Sequence, residues 1–312
     1  MEQYTVNFYA KKFIEAKYSA VSKSTMINYK KYVEKYIIPN FENKDIRDIT
    51  IPDVEEFKSL ISSNKSYKTT SNIISVLKQI MDIAVRDNVI PSNPCKYITK
   101  IEKNKTKKIV VPTDKEVEKM LEYAKSTQFK GGIGIILLIK LGLRRNEVLA
   151  LQLKHIKSDP DGSMYIDVKN ALVRTDGETS YEVCSPKTEE SKRRIYLSKE
   201  IKNLLVSYKS MYKEKYVDFN EECFLIPNKS RPDLFMYPST FNYYFNNVKK
   251  YTGVRSTITL HGLRHYFIST QVHKGTPIDI IKSWVGHKSV TTTIDDYTHT
   301  RNEDIKTYKE NL

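Results

Sequence analysis

Apolar residues recur at three- and four-residue spacing through most of the first hundred positions. Tyr29, Val33, Tyr36 and Ile37 share one face of a helix that Ser24 precedes and Pro39 stops. Val54, Phe57, Leu60 and Ile61 form the inner face of a second helix, capped by Thr50. Pro52 stands in its first turn, where no intrahelical partner awaits its missing N–H. Ile73, Leu77, Ile80, Met81 and Ala84 stripe a third helix over about 68–87, and Pro91 and Pro94 prevent its continuation. With an earlier helix near 6–18, the pattern predicts a small helical bundle.

The pattern breaks at 96–108, KYITKIEKNKTKK, which holds six lysines and one glutamate. This is the expected linker, closing a first domain at 1–108 and opening a second at 109–312. Thr113 and Glu116 are spaced as a capping box ahead of Val117, Met120, Leu121 and Ala124. A very apolar helix follows over about 131–141 and ends near Gly142, and a short one runs from Arg144 to about Leu153. Met164–Val168, Ala171–Arg174, Tyr181–Ser185 and Arg194–Leu197 read as strands, with a turn at Asp176-Gly177. Helices resume behind caps at Ser198 and Ser239. The expected class is mainly α with a small antiparallel β-sheet in the second domain.

Composition narrows the partner. At 39% hydrophobic residues the chain can build real cores, and no apolar run approaches the roughly 20 residues of a membrane span. The opening MEQYTVNFYAKKF lacks a signal-peptide core, and three scattered cysteines suggest reduced thiols, so a cytoplasmic location is expected. The net charge is +15, which fits a polyanionic partner. The charge is spread: residues 1–108 hold 20 Lys and Arg against 12 Asp and Glu, and the remainder 32 against 25. Two basic domains joined by a lysine strap suit a clamp around a duplex, with Lys100, Lys103, Lys105, Lys107 and Lys108 along its phosphates.

The chemistry-bearing residues cluster late. His261 and Arg264 are three apart, so on a helix they share a face and can hold a phosphate. His261 and His265 have metal-ligand spacing, but Gly262 stands where a zinc protease has Glu, and no metal is expected. Arg144 lies where one helix stops and the next starts, a place that favours anions, with Glu147 set to orient it. Taken alone, that pair is an ordinary exposed i,i+3 ion pair. Lys187 sits in a turn between strands, where a solvated lysine is the simpler reading, and Lys192, Arg193 and Arg194 beside it suit backbone phosphates. Gly286-His287 precedes Tyr297 by ten residues counted from the histidine.

Arg144 in GLRRNEVLAL, Lys187 in PKTEESKRRIYL, His261 and Arg264 in LHGLRH, His287 in VGH and Tyr297 in DDYTH together resemble the tyrosine recombinases, the integrases of phages and mobile elements. Six positions stand in family order over 144–297, and the helical first region is similar to the family's core-site-binding domain. Arg145-Asn146 and Val285 depart from the residues usual beside these motifs without removing a catalytic group. The resemblance implies a core-binding domain followed by an α+β catalytic domain. It implies Tyr297 as nucleophile, Arg144, Arg264 and His287 on the phosphate, His261 as base, Lys187 as acid, and no cofactor. It also implies recombination sites on double-stranded DNA, a homotetramer on two duplexes, and possible accessory DNA-bending proteins. Docking of the tail 301–312 on a neighbouring subunit through Ile305, Tyr308 and Leu312 belongs to the same expectation, as does association with a bacterial nucleoid. A type IB topoisomerase-like enzyme and a non-catalytic DNA-binding protein remain the alternatives.

Overall fold

The computed structural model describes residues 4–41, 44–101, 109–176, 180–185, 192–229 and 231–286. Contacts divide the chain into one unit of residues 1–107 with 174–180 and another of 108–173 with 181–312.

The first unit is helical: α1 (Val6–Tyr18), α2 (Lys23–Tyr32), α3 (Ile38–Phe41), α4 (Ile51–Asn64) and α5 (Tyr67–Arg86). Its core gathers on α5, where Ile73, Leu77, Ile80, Met81 and Ala84 are buried against Val6, Tyr9, Phe13, Ile37 and Phe57. Thr50 caps α4 in a full capping box with Asp53, and Pro52 sits in the first turn. Three expectations change. Ser22, not Ser24, caps α2. Pro39 does not stop the helix. A π-turn over Val33–Ile37 joins α2 to α3, with the Ile38 N–H reaching back to the Val33 carbonyl. The widened turn accommodates a residue that has no N–H to donate and a ring that crowds a regular turn. Leu60 is 52% exposed, while Lys58 takes the inner position and reaches the Thr99 carbonyl at 3.3 Å. Residues 54, 57, 58 and 61 follow the i, i+3, i+4, i+7 row, and 60 lies off it.

The second unit is built around α7 (Gly132–Leu141), which is buried along nearly its whole length. The same core takes in α6 (Asp114–Ser126), α8 (Arg145–Leu149), α9 (Lys199–Lys215), α10 (Pro238–Thr252) and α11 (Leu260–His273), while α12 (Ile278–Val285) packs on α11. Thr113 and Glu116 form the expected capping box at α6, and Ser198 caps α9. Tyr237, not Ser239, precedes α10, whose first position is Pro238. Strands β1 (Ile156–Ser158), β2 (Met164–Val168) and β5 (Arg193–Tyr196) make an antiparallel sheet in the order β1-β2-β5. Strand β3 (Ala171–Asp176) pairs with β4 (Ser180–Cys184), and β6 (Pro227–Asn228) with β7 (Arg231–Phe235). The β2–β5 register sets Ile166 against Ile195 and Val168 against Arg193. Alternation therefore puts Arg193 on the side of β5 that Ile195 buries, and Arg194 and Tyr196 on the other. No described helix is long and apolar enough to cross a membrane.

Gly142 ends α7 at φ +62°, and an added Cβ would lie 2.3 Å from Phe267 Cδ1 of α11. Left-handed backbone and close helix approach both demand glycine here. Gly142→Ala should cost about 1–3 kcal/mol by strain and overpacking, read as a lower denaturant midpoint with an unchanged slope.

Candidate active site

Four chain segments of the second unit meet at one place: the α7–α8 junction, the start of β5, the first turns of α11 and the C-terminal end of α12. The left-handed turn at Gly142 buries Leu143 and makes Arg144 the N-cap residue of α8. Arg264 lies on the buried face of α11 at 2% exposure. Its Nη1 donates to the Gly142 carbonyl and its Nη2 to the Val285 carbonyl, each at 2.6 Å. Arg264 thus ties the end of α7 to the end of α12. Arg144 donates from Nη2 to the Gly286 carbonyl at 2.7 Å and from Nη1 to Glu147 Oε1 at 2.7 Å. Arg193 donates from Nε to the Trp284 carbonyl at 2.5 Å. Three successive carbonyls at the end of α12 each accept from a different arginine. A helix C-terminus offers unpaired carbonyls and a partial negative charge, so cations are favoured there.

Glu147 balances the cluster. It is 3% exposed and also receives the Arg144 backbone N–H at 2.9 Å. Arg193 grips it with both Nη groups, at 3.1 Å to Oε1 and 2.8 Å to Oε2. Burial pushes its carboxyl up, but the Arg193 hydrogen bonds and the charges of Arg193 and Arg144 outweigh burial and hold it down at about 2. It is therefore a fixed anion, unlike the exposed pair that spacing alone suggests.

Beside this cluster lies an open depression of about 660 Å³ lined by Arg144, Arg145, Lys249, His261 and Arg264 among others. None of its described lining residues is acidic. His261 is exposed in the first turn of α11, with its ring edge-on to His265 at 4.5 Å. Lys249, which sequence reasoning passed over, is held by the Ser256 and Ile258 carbonyls at 2.7 and 3.1 Å. Desolvation lowers its pKa from the usual ammonium value. Arg145 reaches Asn242 at 3.3 Å, with its pKa lowered by burial. A concave surface with fixed guanidiniums and no described carboxylate is suited to a phosphate.

Arg144, Glu147, His261 and Arg264 are thus brought together, while Lys187, His287 and Tyr297 lie outside the described residues, as do Lys103, Lys105, Lys107 and Lys108. Lys100 and Lys192 are exposed. Arg194 is exposed, stacked over the Tyr165 ring at 4.7 Å and 3.5 Å from Asp159. Arg193 departs from expectation. Its side chain is only 6% exposed and is committed to Glu147 and Trp284, so it faces inward rather than towards a phosphate backbone. The signal was present in the alternation Arg193-Arg194-Ile195, where the arginine two before the buried isoleucine must share its side.

Residues 111–304 match the model of the phage integrase family, and residues 7–101 that of the phage integrase central domain. The ICEBs1 integrase of Bacillus subtilis is 30% identical over 280 residues, covering 87% of this chain and 73% of its own. A putative prophage phiRv2 integrase of Mycobacterium tuberculosis is 25% identical over 273 residues, covering 88% and 69%. The Tn1549 transposon integrase, solved in complex with transposon right end DNA, has a TM-score of 0.78 at 22% identity, covering 99% of each chain. A lambda integrase dimer bound to a core site has a TM-score of 0.72 at 18% identity, covering 94% of this chain and 77% of that one.

The state of Glu147 has a measurable consequence. Its carboxyl titrates near 4.5 when free and at about 2 when folded. A group lowered on folding stabilises the fold above its free value and loses that contribution as pH falls through the folded one. Glu147→Gln should cost about 3–5 kcal/mol near neutrality, because it removes the buried carboxylate that the nearly buried Arg193 grips with both Nη groups and that also holds Arg144. The gap in thermal midpoint between wild type and variant should narrow as pH falls from about 4.5 towards about 2.

Proposed function

We infer that this chain, which belongs to the phage integrase family, acts as a tyrosine site-specific recombinase that cleaves and rejoins double-stranded DNA. The observation that carries the reading is the convergence of Arg144, Arg264 and His261 on one basic depression lined by no described carboxylate. The family match spans both units.

In this reading a scissile phosphate sits over the depression. Tyr297 Oη attacks phosphorus and gives its proton to His261, since a free tyrosine, with a pKa near ~10, is a poor nucleophile at neutral pH. The P–O5′ bond breaks, Lys187 protonates the leaving 5′-oxygen, and the DNA is left as a 3′-phosphotyrosine. A 5′-hydroxyl of the partner strand then reverses these steps, so the phosphodiester is restored without an outside energy source. Arg144 and Arg264 bind the nonbridging oxygens, and His287 adds a hydrogen bond. A guanidinium carries five donors in one plane. Anchoring to helix-end carbonyls fixes the orientation of each fork in advance, and donors preset for the charge of the transition state stabilise it most.

The relatives extend the reading. A lambda integrase tetramer has been solved bound to a Holliday junction. By analogy this chain assembles as a homotetramer on two duplexes and passes through such a junction, with the segment 301–312 docking between subunits. Its substrates are the end and target sites of a mobile element in a bacterial cell, and DNA-bending proteins would assist where the sites lie far apart. The net charge of +15 favours DNA broadly, so affinity for non-cognate duplex should fall steeply with salt.

A nicked suicide duplex carrying the element's end sequence provides the test. In EDTA, wild type should form a denaturant-resistant protein–DNA adduct and Tyr297→Phe none. Arg144→Ala should slow adduct formation by about 10²–10³-fold. An adduct with Tyr297→Phe would assign the nucleophile elsewhere. Tight binding without any adduct would favour a purely DNA-binding protein.

A further inference from the structure

We propose that Arg193 is a positioning residue of the cleavage reaction, which holds Arg144 and the turn at Gly286 in register by bridging Glu147 to the end of α12. The proposal rests on the recombinase reading above.

Arg193 opens β5, and its register against Val168 of β2 directs it inward, where its side chain is 6% exposed. Among the described residues, its Nε donates to the Trp284 carbonyl and its two Nη groups to Glu147. Glu147 in turn holds both the guanidinium and the backbone N–H of Arg144. Arg144 closes the loop on the Gly286 carbonyl. The circuit runs Trp284, Arg193, Glu147, Arg144, Gly286, and returns to α12 two residues from where it began.

The packing inside the circuit is tight. Gly286 has φ +64°, and an added Cβ would lie 3.1 Å from Arg193 Nη1 and 3.5 Å from Arg144 Nη1. The Gly286 turn therefore rests directly on both guanidiniums. Chain connectivity gives the circuit its reach. Residue 187 lies six positions before Arg193, and residue 287 follows Gly286 directly. The circuit thus takes in Arg144 itself and ends, at Arg193 and Gly286, at positions close in sequence to the proposed acid Lys187 and to His287. At this burial Arg193 cannot also lie along an exposed phosphate backbone. Lysine would not replace it, because one ammonium cannot reproduce a fork on a carboxylate together with a third donor on a carbonyl.

A phosphate contact and a positioning residue predict different losses. If Arg193 positions, Arg193→Lys and Arg193→Ala should bind the suicide duplex within about threefold of wild type. Their single-turnover cleavage at saturating DNA should fall about tenfold to a hundredfold, the scale of a misplaced reacting group. Free guanidinium at millimolar concentration should restore part of the cleavage rate to Arg193→Ala and leave the wild-type rate unchanged. Combining Arg193→Ala with Glu147→Gln should cost less than the product of the two single losses, since they break one circuit.

Wild-type cleavage by Arg193→Lys at saturating DNA would overturn the proposal. So would a loss confined to affinity and cured by more DNA, which would restore Arg193 to the phosphate backbone. Arg193→Lys keeps the buried charge and serves if Arg193→Ala does not fold. Wild type run alongside separates the two levels. A Tyr297-dependent wild-type adduct with unimpaired variants sinks the role of Arg193 alone, whereas no wild-type adduct sinks the recombinase reading and this proposal with it.

Discussion

The catalytic unit depends on one buried carboxylate. Glu147 lies between Arg144 and Arg193 at 3% exposure, and these two arginines, with Arg264, cap three consecutive carbonyls of α12. Each buried ion costs several kcal/mol in lost hydration unless paired with good geometry. Here the bidentate fork of Arg193, the backbone N–H of Arg144 and the negative end of a helix supply that geometry. The arrangement is coupled: with Glu147 removed, the nearly buried Arg193 loses its two carboxylate hydrogen bonds and Arg144 loses the carboxylate that orients it. A cluster of this kind fixes charge in space, and fixed charge is what stabilises a phosphoryl transition state.

The apolar scaffold keeps the cluster in place. Helix α7 is buried along nearly its whole length, so its end at Gly142 is a rigid reference for Arg144 and for the carbonyl that Arg264 grips. Phe267 of α11 closes on Gly142 where a side chain would intrude. A second acid secures the chain as it enters this unit. Glu116 completes the capping box of α6 and takes a bidentate grip from Arg255, whose hydrogen bonds hold its carboxyl at about 2 against the effect of burial. The same Arg255 reaches the Val111 carbonyl at 2.9 Å. One residue earlier, the Val110 carbonyl lies 2.5 Å from where a Cβ on Gly262 would stand, directly beside His261. The start of the second unit therefore packs on the helix that presents the proposed base.

Where sequence reasoning erred, a local rule met a tertiary demand. Pro39 looked like a stop signal, yet the Val33–Ile37 π-turn lets the helix pass through it. Leu60 looked like a core residue, but the row set by Val54, Phe57 and Ile61 leaves it facing outward and buries Lys58 instead. Arg193 looked like one of three neighbouring phosphate contacts. Strand alternation separates it from Arg194, and only a carboxylate waiting in the interior makes an inward arginine tolerable.

The sequence by itself determined the elements and the candidate chemistry. Periodicity, the cap at Thr50, the capping box at Thr113 and Gly142 at a helix end are local, so they can be read without knowing the fold. Motif order carried the family. Tertiary structure decided what each charge is for. Arg144 and Gly286 are 142 residues apart and Glu147 and Arg193 are 46 apart, and no periodicity connects such pairs. Their meeting follows from packing α11 against α7 and α12 against α11 and β5, which turns a set of basic residues into an oriented site.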